Sequence, residues 1–336
     1  MAKTSIKNQI AIVGGETLLG RELREVLKEA GLDSRIRLIS GGDVEGRAIT
    51  EEEGEAVLLE VLDLDTLTGS GAVLLAGTEA SSRKALEFLK DGKTPLIDLT
   101  GALEESPRAR LRAPVLEPAG HKTTPGTIHV VAQPAAIALG LFLTRLHAAE
   151  PLRRVVTLIL EPVSERGKPG LDELHHQTIK LLSFQALDKK VFDTQVSFNL
   201  VPEYGEDAPK QLASVEQRIE KNLASLLALH PSAPMPSLRV VQAPVFHGYS
   251  FSVWAEFAQT PNLKKLAAAL KGPGMDVRAS GEEAPSNVGT AGQGGISIGS
   301  LLADPNEPRA AWFWVVCDNL RIVAENALEV LRAVAG

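Results

Sequence analysis

The first third of the chain alternates short unbroken apolar runs with stretches whose apolar residues recur at helical spacing. Gln9–Val13, Arg35–Ile39, Ala72–Ala76, Pro95–Leu99 and Ile128–Ala132 are the apolar runs. A run without alternation fits a strand buried on both faces, as in a parallel sheet. Between the runs, Arg21–Ala30 sets Leu23, Val26, Leu27 and Ala30 on one helical stripe and is closed by Gly31. Glu79–Lys90 repeats the pattern with Ala80, Ala85, Leu86 and Leu89. Strands alternating with helices imply right-handed crossovers and a doubly wound parallel sheet.

Beyond Gln133-Pro134 the pattern changes. Leu152–Val163 predicts a long strand, and Gly170–Phe184 and Leu212–Leu229 predict amphipathic helices. Leu238–Phe246 and Ser250–Phe257 read as adjacent antiparallel strands around His247-Gly248-Tyr249. Lys271–Gly295, rich in Gly, Pro and Ser, reads as a loop or a dimer-facing excursion. Ala311–Val316 is a further strand. Asp318–Val334 is a closing helix with Leu320, Val323, Ala327, Leu328 and Leu331 on one side, expected to return to the first domain. The expected fold class is α/β: a Rossmann-type doubly wound parallel sheet at 1–132, an α+β domain at 133–316, and a terminal helix at 317–336.

A length of 336 residues exceeds one simple core and suits two domains. The net charge of −7, with no basic stripe, argues against a nucleic-acid partner. No run approaches the ~20 apolar residues of a membrane span, and the opening residues lack a signal-peptide pattern. The single cysteine, Cys317, excludes an intrachain disulfide and fits a reducing cytoplasm.

Chemistry is expected at two strand-to-helix turns. Gly14-Gly15-Glu16-Thr17-Leu18-Leu19-Gly20 follows the first strand and opens the first helix, the context a dinucleotide fingerprint requires. Gly14 would make the tight turn, Gly20 the close helix–sheet packing, and the helix start at Thr17 and Leu18 would offer N–H groups to a pyrophosphate. Thr17 stands where the middle glycine is expected, so its Cβ would crowd the phosphate; a tight turn without a ligand is the alternative reading. The second strand ends at Ser40-Gly41-Gly42-Asp43 with no acid right at its end. Ser40 and Arg47 suit a 2′-phosphate better than Asp43 suits a 2′-hydroxyl, favouring NADP over NAD, unless the stretch through Glu51-Glu52-Glu53 is a solvated loop. The other turn, Gln133-Pro134-Ala135-Ala136, carries no nucleophile, acid or metal ligand. Cys317 reads as a core residue. His175 and His176 point to different helix faces, and no metal is expected there. A site built on His247, Tyr249 and Glu161 stays open as an alternative.

Six blocks in order resemble the aspartate-semialdehyde dehydrogenase family, closest to its Usg-type paralogues. They are Ile12–Gly20, Leu74–Ser81, Ile97–Leu103, Glu161–Ser164 with Gly167–Gly170, Ala243–Ser250 and Trp314–Arg321. The resemblance implies a Rossmann domain that binds NADP, a dimerising catalytic domain, a homodimer, and Asn319 among the cofactor-binding residues. It also implies reductive dephosphorylation of aspartyl phosphate through a cysteine thioester, with histidine as base. The residues at the family's functional positions differ. The nucleophile's place falls on Ala135 and the base's on Tyr249, whose phenol titrates at about 10. The carboxylate-gripping arginine falls on Gln242, the acyl-phosphate arginine near Glu104, and the glutamine beside the nucleophile on Glu161. The resemblance therefore implies a pseudoenzyme that binds a nucleotide, another small molecule or a protein partner. The alternative is an oxidoreductase acting on another small substrate by non-covalent hydride transfer.

Overall fold

The structure is a computed structural model that describes residues 9–42, 48–52, 55–118, 120–121, 123–230, 233–278 and 281–335. Asp43, Arg47 and Glu53 lie outside the described residues. The chain divides into two compact units, Met1–Ala132 with Val323–Gly336, and Gln133–Ile322.

The first unit runs β1 (Ile10–Val13), α1 (Leu18–Glu29), β2 (Ile36–Ile39), β3 (Ala48–Glu52), β4 (Glu55–Leu59), α2 (Leu64–Leu67), β5 (Ala72–Leu75), α3 (Glu79–Phe88), β6 (Leu96–Asp98), β7 (Ala109–Arg112) and β8 (Ile128–Val131). Its main sheet has the order β2-β1-β5-β6-β8-β7, with every pairing parallel. The unbroken apolar runs become its central strands: every residue of β1, β5 and β8 is buried. β2 and β5 flank β1 on opposite sides, so the C-terminal ends of β1 and β5 border the crevice where such sheets take ligands. The stretch through Glu51 and Glu52, read as an alternative solvated loop, instead pairs as an antiparallel hairpin of β3 and β4. β7, with Arg110 and Arg112 alternating along it, is an edge strand that the apolar-run criterion passes over.

Arg112 reaches inward from that edge. It pairs with Glu117 through Nε–Oε1 at 2.7 Å and Nη2–Oε2 at 2.8 Å, and its Nη1 lies 2.8 Å from His129 Nδ1 on β8. Burial, reinforced by the Arg112 charge, pushes the His129 pKa down to about 4. The imidazole is neutral at pH 7 and accepts the Arg112 proton at Nδ1.

The second unit runs α4 (Pro134–Ala149), β9 (Leu152–Glu161), α5 (Gly167–Leu182), α6 (Leu212–Leu227), β10 (Ser237–Gln242), β11 (Tyr249–Phe257), α7 (Leu263–Leu270), β12 (Met275–Val277), β13 (Ile296–Ala303), β14 (Ala310–Cys317) and the start of α8 (Asn319–Ala335). Its sheet is mixed, in the order β10-β9-β11-β14-β13-β12. The predicted hairpin of Leu238–Phe246 with Ser250–Phe257 does not form. β9 lies between the two strands, parallel to β10 and antiparallel to β11. The connection 243–248 crosses the end of β9, where Ala243 N donates to Glu161 O, and Val163 N and Ser164 N donate to Val245 O and Phe246 O. Those bonds satisfy backbone that a tight hairpin would have left unpaired, and they set β9, β10 and β11 around one point.

α4 is buried nearly all round and packs against α6, α7 and the inner sheet face, where Phe142 meets Phe313 edge-on at 5.3 Å. The long irregular stretch after α5 is anchored to that helix. Gln177 accepts from Val196 N and Ser197 N and donates to the carbonyls of Asp188 and Thr194. Glu173 accepts from Val191 N and Phe192 N. This anchoring positions Tyr204. The later part of α8 belongs to the first unit, where Ala324, Ala327, Val330 and Leu331 are buried and Asn326 Oδ1 accepts from Val115 N. Among the described residues, no helix is long and apolar enough to cross a membrane.

The depressed His129 pKa sets a stability window. Unfolded histidine takes a proton near 6.5, whereas the folded chain refuses it until about pH 4. Stability present above pH 6.5 is therefore lost as the pH falls toward 4, on the order of 2 kcal/mol by pH 5. Denaturant unfolding of wild type and His129→Gln at pH 7 and pH 5 will show the smaller loss in the variant; equal losses would remove His129 as the cause.

Candidate functional site

The sequence-predicted residues Ala135, Tyr249, Gln242 and Glu161 come together in the second unit, at the point where β9, β10 and β11 meet the start of α4. Glu104 and the Gly-rich turn belong to the first unit, and each unit is described separately.

α4 begins with Gln133 as N-cap and Pro134 at the first helical position, a favoured helix start. Gln133 Oε1 accepts from Ala135 N at 2.7 Å and Ala136 N at 3.2 Å. The N–H groups of a helix start are a ready anion site, and here the chain's own amide occupies them. Gln133 Nε2 donates to Tyr249 Oη at 2.8 Å, and Tyr249 Oη donates to Glu161 Oε1 at 3.3 Å. Tyr249, Gln242, Glu161 and Ala135 are each 0% exposed.

Glu161 meets a cation that sequence reasoning passed over. Arg166 Nη2 lies 3.2 Å from both Glu161 oxygens and 3.3 Å from Tyr204 Oη. Tyr204 Oη donates to Gln242 Oε1 at 2.6 Å, and Gln242 Nε2 donates to the carbonyls of Glu161 and Ala243. Gln242 thus spends both ends of its amide on neighbours inside the site. Arg166 Nε is buried without a hydrogen-bond partner. Glu165 and Arg166 sit between Ser164 and Gly167 in the sequence, so two charges following a buried strand end were the signal available. Tyr204 had none, since it arrives from irregular chain.

Burial pushes the Tyr249 hydroxyl well above the usual phenol range, and the carboxylates of Glu161 and Glu165 add to the shift. Tyr204 is raised by the same two causes, burial and then Glu161. Glu165 is raised by removal from water and by Glu161, although Asn319 Nδ2 donates to it at 2.7 Å. Burial opposes the Arg166 charge, but Glu161 and its neighbours hold the guanidinium protonated. The cluster is a buried ion pair ringed by neutral hydroxyls and amides. Among the side chains named in it there is no cysteine, serine or histidine.

The remaining candidates have structural partners. Asn319 Oδ1 accepts from Ser164 Oγ at 3.2 Å and Gly248 N at 2.9 Å, joining α8 to the loops after β9 and before β11. Burial lowers the His247 pKa, with Asp318 opposing. The His247–Tyr249–Glu161 alternative is not assembled as a metal site: among the described residues, no group of three His, Cys, Asp or Glu side chains is placed to hold a metal ion. Cys317 is buried, and burial followed by Asp318 raises its thiol pKa.

In the first unit, Gly14 adopts φ +88°, and a Cβ there would collide with the Gly77 backbone. A Cβ on Gly20 would collide with the Gly14 carbonyl. Thr17 is the N-cap of α1. Its Oγ1 accepts from Gly20 N at 2.9 Å and lies 2.8 Å from Ala76 O, so the hydroxyl is turned onto the backbone. Leu18 starts the helix, whose first N–H groups have no intrahelical acceptor. Thr17 thus caps Gly20 N itself and leaves the N–H groups of Leu18 and Leu19 without an acceptor in the helix. No acid follows β2 directly in the chain, but one reaches its end from another turn. Glu16 folds back from the Gly-rich turn, and its Oε1 accepts from Gly41 N at 2.8 Å and lies 3.4 Å from Ser40 Oγ.

A doubly wound sheet followed by a mixed-sheet unit, with a closing helix that ends in the first unit, is the architecture of a two-domain dehydrogenase-like protein. The profile for "Semialdehyde dehydrogenase, dimerisation domain" matches residues 143–322. The chain belongs to the semialdehyde dehydrogenase family. It is 29% identical over 93% of its length to a USG-1 protein homolog of Pseudomonas aeruginosa, covering 93% of that protein. It is 26% identical to an aspartate-semialdehyde dehydrogenase of Rickettsia bellii, covering 94% of each chain. Among solved structures, a probable aspartate-semialdehyde dehydrogenase of Pseudomonas aeruginosa superposes with a TM-score of 0.82 at 26% identity, covering 96% of this chain and 98% of that one. The aspartate-semialdehyde dehydrogenase of Candida albicans with NADP shares the fold at a TM-score of 0.67 and 12% identity, covering 97% and 99%.

Replacing Arg166 by alanine would leave the Glu161 carboxylate buried and unpaired. A loss of about 3–5 kcal/mol is expected, read as a large drop in the unfolding midpoint. A shift below about 1 kcal/mol would mean that water or another group compensates Glu161.

Proposed function

We propose that this protein is a semialdehyde dehydrogenase relative that has lost the thioester chemistry and serves as a homodimeric binding protein for a nicotinamide dinucleotide, another small ligand or a protein partner. The observation that carries this reading is the closure of the Gln133–Tyr249–Glu161–Arg166 network. Gln133 fills the helix start with its own amide, and Tyr249 occupies the centre with no exposed surface. Pro134, Ala135 and Ala136 cannot attack an acyl group. Losing a covalent nucleophile alone removes many powers of ten in rate. Against non-covalent hydride transfer with Tyr249 as the acid stands its burial, with bonds on both sides of its hydroxyl. Support for a dinucleotide comes from the Gly14–Gly20 turn at the crevice of the parallel sheet, and from the NADP complex of a protein with this fold.

Support for a homodimer comes from the outer sheet face of the second unit. Trp254, Trp312 and Trp314, every tryptophan of the chain, stand on it. Trp254 opposes Val156, which is 51% exposed, and Trp312, which is 41% exposed. Trp254 and Trp312 both donate to Asp304 Oδ2, at 2.8 and 3.0 Å. A face this apolar on a mixed sheet needs a cover.

Incubation of purified protein with aspartate semialdehyde, phosphate and either NADP or NAD is expected to yield no cofactor reduction above a protein-free control. Robust turnover that survives Cys317→Ser would overturn the reading. Sedimentation of wild type should give a dimer and of Trp312→Lys a monomer; a wild-type monomer would exclude the sheet-face assembly.

A further inference from the structure

We propose that Glu16 sets the cofactor preference of the first unit, selecting a free ribose 2′-hydroxyl, as in NAD, over a 2′-phosphate, as in NADP. The inference rests on the reading of that unit as a dinucleotide-binding domain.

The end of β2 is where an α/β dinucleotide site meets the adenosine ribose. Three backbone turns converge there. A Cβ on Gly41 would lie 2.9 Å from both Gly14 Cα and Gly77 Cα, so the loop after β2 packs directly on the loops after β1 and β5. Gly41 is held on both sides: its N–H donates to Glu16 Oε1 at 2.8 Å, and its carbonyl accepts from Thr78 Oγ1 at 3.2 Å. A 2′-phosphate at this place needs donors, namely the backbone N–H after β2, a nearby hydroxyl and a cation. The N–H of Gly41 is already taken, and the Ser40 hydroxyl faces the same Glu16 oxygen at 3.4 Å. The carboxylate thus occupies an anion position with an anion belonging to the chain.

The second oxygen of Glu16 is the observation that bears on the ligand. Oε2 is buried and has no hydrogen-bond partner. A buried carboxylate oxygen without a donor is costly, and a ribose hydroxyl would supply the missing donor. A 2′-phosphate brings only acceptors and a charge of the same sign. The same side chain therefore attracts one cofactor and repels the other. Sequence reading favoured NADP because no acid follows β2 in the chain; the acid arrives instead from the turn after β1.

Calorimetric titration with NAD and NADP tests the proposal directly. Wild type should bind NAD at least tenfold more tightly than NADP, and Glu16→Gln should shrink that ratio by improving NADP binding. Because Glu16 also braces Gly41, wild type is titrated in parallel with ADP, 2′-deoxy-ADP and 2′,5′-ADP, which needs no variant. ADP should bind most tightly, with both analogues weaker by several-fold or more. Tighter binding of NADP and of 2′,5′-ADP by wild type would overturn the role of Glu16 while leaving the dinucleotide reading intact. An NAD-to-NADP ratio unchanged in a folded Glu16→Gln protein would also overturn it. Failure of every nucleotide to bind would overturn both.

Discussion

Glu161 carries a carboxylate at the end of β9 with no contact to solvent, and its surroundings are arranged to meet that charge. Removing an ion from water costs several kcal/mol even after the protein relaxes. Arg166 supplies the counter-charge, Tyr249 donates to one oxygen, and Tyr204 and Gln242 brace the guanidinium and the backbone beside it. Gln133 then ties Tyr249 to the first turn of α4. The ion pair thus links the central sheet, the irregular segment bearing Tyr204 and the buried helix into one polar knot. Such a knot restrains its members, because loss of one leaves the rest unsatisfied.

The same arrangement bears on function. A substrate acyl group at the start of α4 would need free N–H groups, a nucleophile and a cation. The N–H groups of Ala135 and Ala136 are bonded to Gln133, the nucleophile is absent, and the guanidinium of Arg166 is neutralised by Glu161. Gln242, Tyr249 and Glu161 share hydrogen bonds with one another or with Arg166. That pattern supports the proposed reading of a site packed for structure.

Periodicity alone made the first unit legible, because a parallel sheet buried on both faces writes its strands as unbroken apolar runs. Even so, the Arg110–Arg112 edge strand escaped, since its inward arginine is buried only by virtue of Glu117 and His129. In the second unit, sequence adjacency suggested that β10 and β11 pair, and the insertion of β9 between them is a long-range choice that no local window contains. Ala135, Tyr249, Gln242 and Glu161 drew notice only through the resemblance, whereas Arg166, Tyr204 and the capping role of Gln133 depend on which strand ends meet. Glu16 escaped for a related reason: its carboxylate acts at the end of a strand twenty-odd residues away in the chain.

On the proposed reading, the start of α4 is packed and capped by the chain itself and offers no reactive cleft. Placing a thiol there tests it most directly. In Ala135→Cys on a Cys317→Ser background, alkylation by iodoacetamide as a function of pH measures both access and thiolate formation. A self-capped, buried position predicts slow alkylation and a thiol titrating above the ordinary value of about 8.5. Fast alkylation at or below pH 7, with a thiol pKa well under that value, would show an open, anion-stabilising site and would contradict the account.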